Sequence, residues 1–215
     1  MTPSFPPLLT GHAVPAVTDP FLAAVGADAD PGTVFWSKDA GTARAAIVLA
    51  REDPLPAAMS GAVAVALGLA EALGALGPPE MAVQNRWPST LLVNGGRCGG
   101  LRAAAGPDWL VVGMRVPVLP LPQSEPGATP DETVLGEEGA GDVTPPALIE
   151  AAARHSLVWI NRYLGDGAAP LMAAWQGLCV DDDGAAVTLD PQGGQVLQSD
   201  DGARTLPLSD MLEPP

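Results

Sequence analysis

The sequence predicts an α+β protein, a mixed or antiparallel sheet with helices packed against it and a small β module at the C-terminal end. Three observations carry this expectation. Between Met81 and Val118, four apolar-patterned runs of strand length follow one another at hairpin spacing. Leu55 to Leu76 is apolar nearly all round, interrupted only by Glu71, as a helix buried on most sides must be. Leu148, Ala152, His155, Trp159 and Tyr163 keep helical spacing over the stretch that begins at Pro145-Pro146.

The elements can be justified in order. A proline-rich arm runs to Pro15, and Thr18-Asp19-Pro20 then reads as a helix start, with proline in the first turn and the helix ending near Ala27. Gly32 to Ser37 and Ala43 to Ala50 read as strands joined by a tight turn, Lys38 to Thr42. A single helix is expected over Pro56 to Leu76. Strands follow at Met81 to Arg86, Ser89 to Val93, Arg97 to Ala105 and Trp109 to Val118, with Asn94-Gly95-Gly96 as a hairpin turn. Antiparallel pairing of these four, backed by the long helix, gives the α+β layer arrangement.

Pro120 to Pro146 is rich in proline, glycine and acids and has no basic residue, so a loop or linker is expected there. Helices follow to Leu164 and over Ala169 to Leu178, broken at Gly165-Asp166-Gly167. The tail repeats itself, Asp182-Asp183-Gly184-Ala185 resembling Asp200-Asp201-Gly202-Ala203, each an Asp-Gly turn feeding a short strand. The expected division is a main domain over residues 1–176, containing the loop at 120–146, and a β-hairpin module over 177–215.

Composition narrows the function classes. A formal charge of −15 with only ten cations leaves no basic face for nucleic acid or for an anionic membrane surface. Leu55 to Leu76 is too rich in alanine and glycine for a membrane span and is expected as a buried helix. Cys98 and Cys179 sit in apolar company and are expected as buried thiols. With His12 and His155 the only histidines, no zinc spacing appears. The Asp181–Asp183 cluster lacks the closing bidentate acid of a calcium loop, so no protein-bound metal is expected. His155, on the apolar stripe of its helix, is expected as a core histidine. The N-terminus has no basic start and no apolar core of secretory type, and a cytoplasmic protein is expected. No Gly-x-Ser-x-Gly elbow and no P-loop is present.

The scarce cations gather in one place. Asn85 to Ala105, NRWPSTLLVNGGRCGGLRAAA, holds Arg86, Arg97 and Arg102, and Arg115 follows in the next strand. Alternating positions on adjacent antiparallel strands can bring such residues to one face, where they are either solvated strand charges paired with acids or an anion site.

The same block, Arg86-Trp87-Pro88-Ser89-Thr90 through Arg97-Cys98-Gly99-Gly100-Leu101, resembles the central motif of biotin–protein ligases, in which a Lys-Trp-Pro-Asn-Asp strand is followed by a turn and Lys-x-x-Gly-Ile. Val111 to Val118 is similar to that family's next strand, and the element order agrees over residues 18–176. The resemblance implies a sheet and helices related to the class II aminoacyl-tRNA synthetase and biotin ligase catalytic core. It implies ATP with magnesium, a small carboxylic acid such as biotin, lipoate or octanoate, an acyl-adenylate, and transfer to a lysine of a carrier protein. It places Arg97 at the family's central lysine as the catalytic candidate, with Lys38 as a second, and Arg86, Trp87, Ser89, Thr90, Gly99, Gly100 and Arg115 as ligand-binding candidates.

The departures are specific. The family's Gly/Arg-rich covering loop should fall between Phe35 and Ile47, where only WSKDAGTARAA stands, and Lys38 is the one lysine in the chain. Ser89 and Thr90 replace the Asn-Asp pair, and Arg115 and Pro117 replace a Gly and an Asn. An acid-binding or ligase protein and a non-catalytic interaction or regulatory protein of the same fold both remain open.

Overall fold

The computed structural model describes residues 2–120, 131–199 and 202–214. In chain order its elements are β1 (Thr10–Val14), α1 (Pro20–Val25), β2 (Thr33–Ser37), β3 (Thr42–Ala50), α2 (Leu55–Ala58), α3 (Ser60–Leu76), β4 (Val83–Arg86), β5 (Thr90–Val93), β6 (Gly96–Ala105), β7 (Trp109–Pro117), α4 (Pro145–Asp166), α5 (Ala168–Leu178), β8 (Cys179–Val180), β9 (Gln195–Ser199) and β10 (Gly202–Leu206). A single 3-10 turn, Leu208–Met211, precedes the tail.

Eight strands form one mixed sheet in the order β1-β2-β3-β7-β6-β5-β4-β8. Local chemistry sets its hairpins. Asn94 and Gly95 both take positive φ (49° and 85°), the two-residue turn that matches strand twist, and so join β5 to β6. Asp39 Oδ1 accepts from the backbone N–H groups of Gly41 (2.8 Å) and Thr42 (3.2 Å), closing the β2–β3 turn. The result is the antiparallel meander β4 to β7 expected from the sequence, in an α+β fold.

The two faces of the sheet are covered unequally. α3 and α4 lie on one face, where Ala45, Ile47, Leu101, Ala103, Val112 and Met114 meet Val63, Leu67, Leu148, Ile149 and Ala152. Asp19 caps α1, its Oδ1 accepting from Phe21 N at 3.0 Å. β1 and β2 are parallel, so the chain crosses over between them, and α1 packs on the other face against Phe35, Ala46, Val48 and Val111. Among the described residues, α1 is the helix packed on that second face.

Several expectations are corrected. The proline-rich arm contains a strand, β1, which its exposed sequence Thr-Gly-His-Ala-Val gives no apolar alternation to announce. The helix expected from Pro56 is two, since α2 ends at Ala58 and Met59 separates it from α3. His155 is not in the core: its side chain is 30% exposed, and Nδ1 lies 3.0 Å from Glu71 Oε2 on α3. Residues 131–144 form no helix or regular strand yet are not a solvated linker. Leu135 and Ala140 are buried, and backbone bonds tie Thr133 N to Arg97 O (3.0 Å) and Leu135 N to Pro117 O (3.1 Å). Residues 121–130 of the expected loop, and Asp200 and Asp201 of the expected Asp-Gly turn, lie outside the described residues.

The C-terminal residues are joined to the main sheet. β8 pairs in parallel with β4, and β9 and β10 form a separate two-stranded hairpin. The stretch 182–189 contributes single bridges, Val180 to Ala186 and Leu189 to Gln195, rather than a strand. Asp181 Oδ1 accepts from the backbone N–H groups of Asp183 and Ala185, both at 2.9 Å, so this acidic cluster closes its own turn.

Both cysteines are buried, and loss of solvent pushes each thiol up to about 12; Glu138 adds to the shift at Cys98, while a hydrogen bond with Asn85 opposes it at Cys179. Their contribution to stability is complete below the unfolded value of 9.0 and is lost as pH rises from there to about 12. Both thiols are expected to resist iodoacetamide at pH 8 until urea is added. Rapid labelling of the folded chain would contradict their burial.

Candidate functional site: an arginine-bearing sheet face

Strand parity places five of the nine arginines on that second face. Arg44 alternates with Ala43 and Ala45, Arg102 with Leu101 and Ala103, and Arg115 with Met114 and Val116; in each case the neighbours point toward α3 and α4. Arg97 lies opposite Leu92, whose neighbours Leu91 and Val93 face the helices, and Arg86 lies opposite Thr90.

The register aligns these residues across five strands. Arg44 pairs with Arg115, Arg115 with Gly100, Gly100 with Thr90, and Thr90 with Arg86. Directly opposed positions share a face, so this is one row of three guanidinium groups with Gly100 and Thr90 between them. Gly99 and Gly100 permit the close approach of β6 to its neighbours. At Gly99 (φ +93°) a Cβ would stand 1.9 Å from Arg115 O, and at Gly100 (φ +159°) 2.3 Å from Ser89 O. Ser89 O also accepts from Leu101 N at 2.8 Å, across the irregularity where β5 and β6 change register.

Acids of the chain already hold most of these cations. Arg44 Nη2 pairs with Asp39 (3.1 Å) and also bonds Ser37 Oγ and Ala16 O. Arg86 meets Asp182 at 3.6 Å, and Arg97 pairs with Glu132. Arg102 has the fullest set: Nη1 bonds Asp19 Oδ2, while Nε and Nη2 fork onto the two oxygens of Glu213, all at 2.6 Å. Its guanidinium also lies 4.3 Å from the centroid of the Phe21 ring. Hydrogen bonds from Arg102 hold the Glu213 carboxyl below the usual carboxylate range. Arg115 is exposed, and among the described residues its side chain has no hydrogen bond or ion pair.

A cavity of about 140 Å³ opens beside this cluster, lined by Asp19, Phe21, Arg44, Arg102, Gly113 and Arg115. Arg102 and Arg115 are marked in the sequence by the gathering of arginines, and Arg44 stands out as the only charge in an otherwise apolar strand. Asp19 is legible as a helix cap, but its meeting with Arg102 and Glu213 is not, since it depends on the tail and the start of α1 coming together over β6.

The structure does not bring all the candidates together. Arg86, Thr90, Gly100 and Arg115 share the row, while Arg97 lies beyond the Gly99–Gly100 irregularity. Trp87 is partly buried and donates from Nε1 to Gly193 O at 3.0 Å, so it anchors the C-terminal residues. Lys38 is exposed in the β2–β3 turn and lines a different cavity, about 490 Å³, with Trp36, Asp39 and Thr144. What this face offers chemically is forked guanidinium donors, Arg115 foremost, of the kind that recognise a carboxylate or phosphate.

These features define an α+β sheet protein with an arginine-bearing face whose charges are largely met by acids of the chain. The chain belongs to the biotin/lipoate A/B protein ligase family, whose model matches residues 5–177. It is similar to the biotin–[acetyl-CoA-carboxylase] ligase of Paracoccus denitrificans, 28% identical over 192 residues that cover 75% of this chain and 80% of that one. A biotin protein ligase-like protein of unknown function from a Silicibacter species superposes with TM-score 0.85 at 39% identity, covering 99% of this chain and 100% of that one. The Aquifex aeolicus biotin protein ligase, solved in complex with biotin and ATP, shares the fold with TM-score 0.72 at 13% identity, over 91% and 94% of the two chains.

Proposed function

We propose that this chain binds a small carboxylic acid, or the adenylate of one, on the arginine-bearing face of its sheet. The observation that carries this reading is the row Arg44–Arg115–Gly100–Thr90–Arg86, with a cavity at its Arg44–Arg115 end. A carboxylate is recognised by planar, forked donors, and Arg115 offers one with no partner among the described residues. Adenylation would require the acid and the α-phosphate of ATP to be brought together against their mutual repulsion, which is work for several cations at once. In this reading Arg97, at the position that the resemblance gives to the family's lysine, and Arg86 would meet phosphate in exchange for Glu132 and Asp182. Family membership supports, for this reading, ATP with magnesium as cosubstrate and a carrier protein as acceptor.

A second reading, acid recognition without transfer, is favoured by one observation. Lys38 to Gly41 joins β2 to β3 as a four-residue turn closed by Asp39, with no chain to fold over a ligand. Thermal-shift and ATP–pyrophosphate exchange measurements with biotin, lipoate, octanoate and shorter acids separate the two. Acid-dependent exchange lost in Arg97→Ala supports transfer chemistry. Binding without exchange supports recognition alone. Absence of binding by every acid contradicts the proposal.

A further inference from the structure

The geometry points to a short-chain monocarboxylate as the acid held at the Arg115 end of the row, with Phe21 as the residue that limits its size. This rests on the reading that the arginine-bearing face binds a carboxylic acid.

Three observations define the occupant. The first is a hollow in the sheet that is already filled. Gly113 leaves no side chain on β7 at this point, and the Phe21 ring takes the space: a Cβ at Gly113 would stand 2.7 Å from Phe21 Cδ2. Phe21 is 3% exposed. Its ring carries the Arg102 guanidinium at 4.3 Å, and its backbone N–H is held by Asp19, which is itself held by Arg102 at 2.6 Å. Glycine, ring and guanidinium are thus interlocked through Asp19. Moving the ring aside to admit a larger ligand means breaking the cap of α1 or the Arg102 ion pairs.

The second observation is charge. Asp39 holds Arg44, and Asp19 and Glu213 hold Arg102. Among the described residues that line the cavity, Arg115 is the guanidinium without an acid. The three guanidinium groups and three carboxylates of this cluster cancel, so a monocarboxylate on Arg115 adds one negative charge beside Asp19 and a dianion adds two, which favours the monoanion.

The third is size. About 140 Å³ is below the roughly 300–1,000 Å³ of ordinary small-molecule sites. A carboxylate on Arg115 with two or three carbons against the Phe21 ring fills that space. A bicyclic or eight-carbon acid would project beyond it, its remaining carbons left in water.

The test compares acetate, propionate and butyrate with octanoate, lipoate and biotin by ligand-observed NMR titration of the full chain, its Phe21→Ala and Phe21→Leu variants, and Arg115→Ala. In the parent chain, propionate or butyrate is expected to bind at least tenfold more tightly than octanoate or biotin, and Arg115→Ala to lose that binding. Phe21→Ala is expected to shift the preference at least tenfold toward octanoate. Phe21→Leu, which keeps an apolar residue on α1, shifts it less and serves if the alanine variant fails to fold. Octanoate or biotin binding the parent chain as tightly as the short acids would overturn the size limit and leave acid recognition standing. So would an unchanged preference in both Phe21 variants. No binding by any acid would overturn both.

Discussion

Gly68→Ala is expected to destabilise the chain by about 3 kcal/mol, a fall in Tm of roughly 6–12 °C for a protein of this size. Gly68 lies where α3 crosses α4, and a Cβ there would stand 2.4 Å from Ser156 N and Oγ and 2.6 Å from its Cα. Two of those atoms are backbone, so the contact can be relieved only by separating the helices. Ser156 has little freedom to yield, since it is buried and its Oγ donates to Ala152 O at 2.7 Å. Nearly two turns further along the same helix, a Cβ on Gly74 would meet nothing within 4 Å. Gly74→Ala therefore gains helix propensity at no packing cost and is expected to stabilise by about 0.5–1 kcal/mol. Thermal melts of the two variants check the pair. Similar shifts in the same direction would contradict the α3–α4 packing described above.

The second large effect is expected from Arg102→Ala. That side chain joins three parts of the molecule: Asp19 at the start of α1, Phe21 in the first turn of that helix, and Glu213 in the tail, whose backbone N–H donates to Ala103 O at 2.8 Å. Its removal leaves two carboxylates facing each other across the space it filled. The guanidinium is about one-third exposed, so solvent screening limits the cost. A loss of about 2 kcal/mol, or roughly 4–8 °C, is expected. Two further readouts separate this role from general damage. Hydrogen exchange at the Glu213 amide should accelerate in the variant while the α3 amides stay protected.

The pH dependence should change as well. Because Arg102 holds Glu213 below the usual carboxylate range, the stabilisation is present above the unfolded carboxylate value and is lost as pH falls toward the depressed one. The variant should lack this acid-limb dependence. An unchanged acid limb together with a protected Glu213 amide would contradict the clamp.

Much of the fold is legible in the sequence because it rests on local pattern. The meander β4 to β7 follows from apolar runs of strand length and the Asn94–Gly95 turn. α4 follows from two prolines ahead of a helical stripe, and the structure adds Thr144 as its cap, Oγ1 accepting from Ala147 N at 3.4 Å. β1 is not legible, because an exposed edge strand needs no apolar alternation. Residues 131–144 have a linker's composition, yet they are fixed by backbone bonds to Arg97 and Pro117 that no side-chain pattern encodes.

The candidate site is half legible. Gathering Arg86, Arg97, Arg102 and Arg115 in adjacent strands is a sequence-level observation, and antiparallel parity puts them on one face. Arg44 joins them only once β3, paired on one edge with β2, is known to pair on the other with β7. Phe21 filling the hollow over Gly113 depends on a crossover helix meeting the centre of the sheet. Lys38, attractive as the one lysine, is set apart by a turn too short to carry it toward the arginine row.

The most direct test of acid recognition on this face is a titration of the arginine Nε–H resonances in the 15N-labelled chain, with propionate and biotin added in turn and Arg115 assigned from its lysine variant. Nine arginines give a small, countable set. With at least one of the two acids, saturable shifts at Arg115, accompanied by Arg44 or Arg102, are the expected result. Shifts confined to Arg51, Arg154, Arg162 and Arg204, or no saturable shift with either acid, would contradict it.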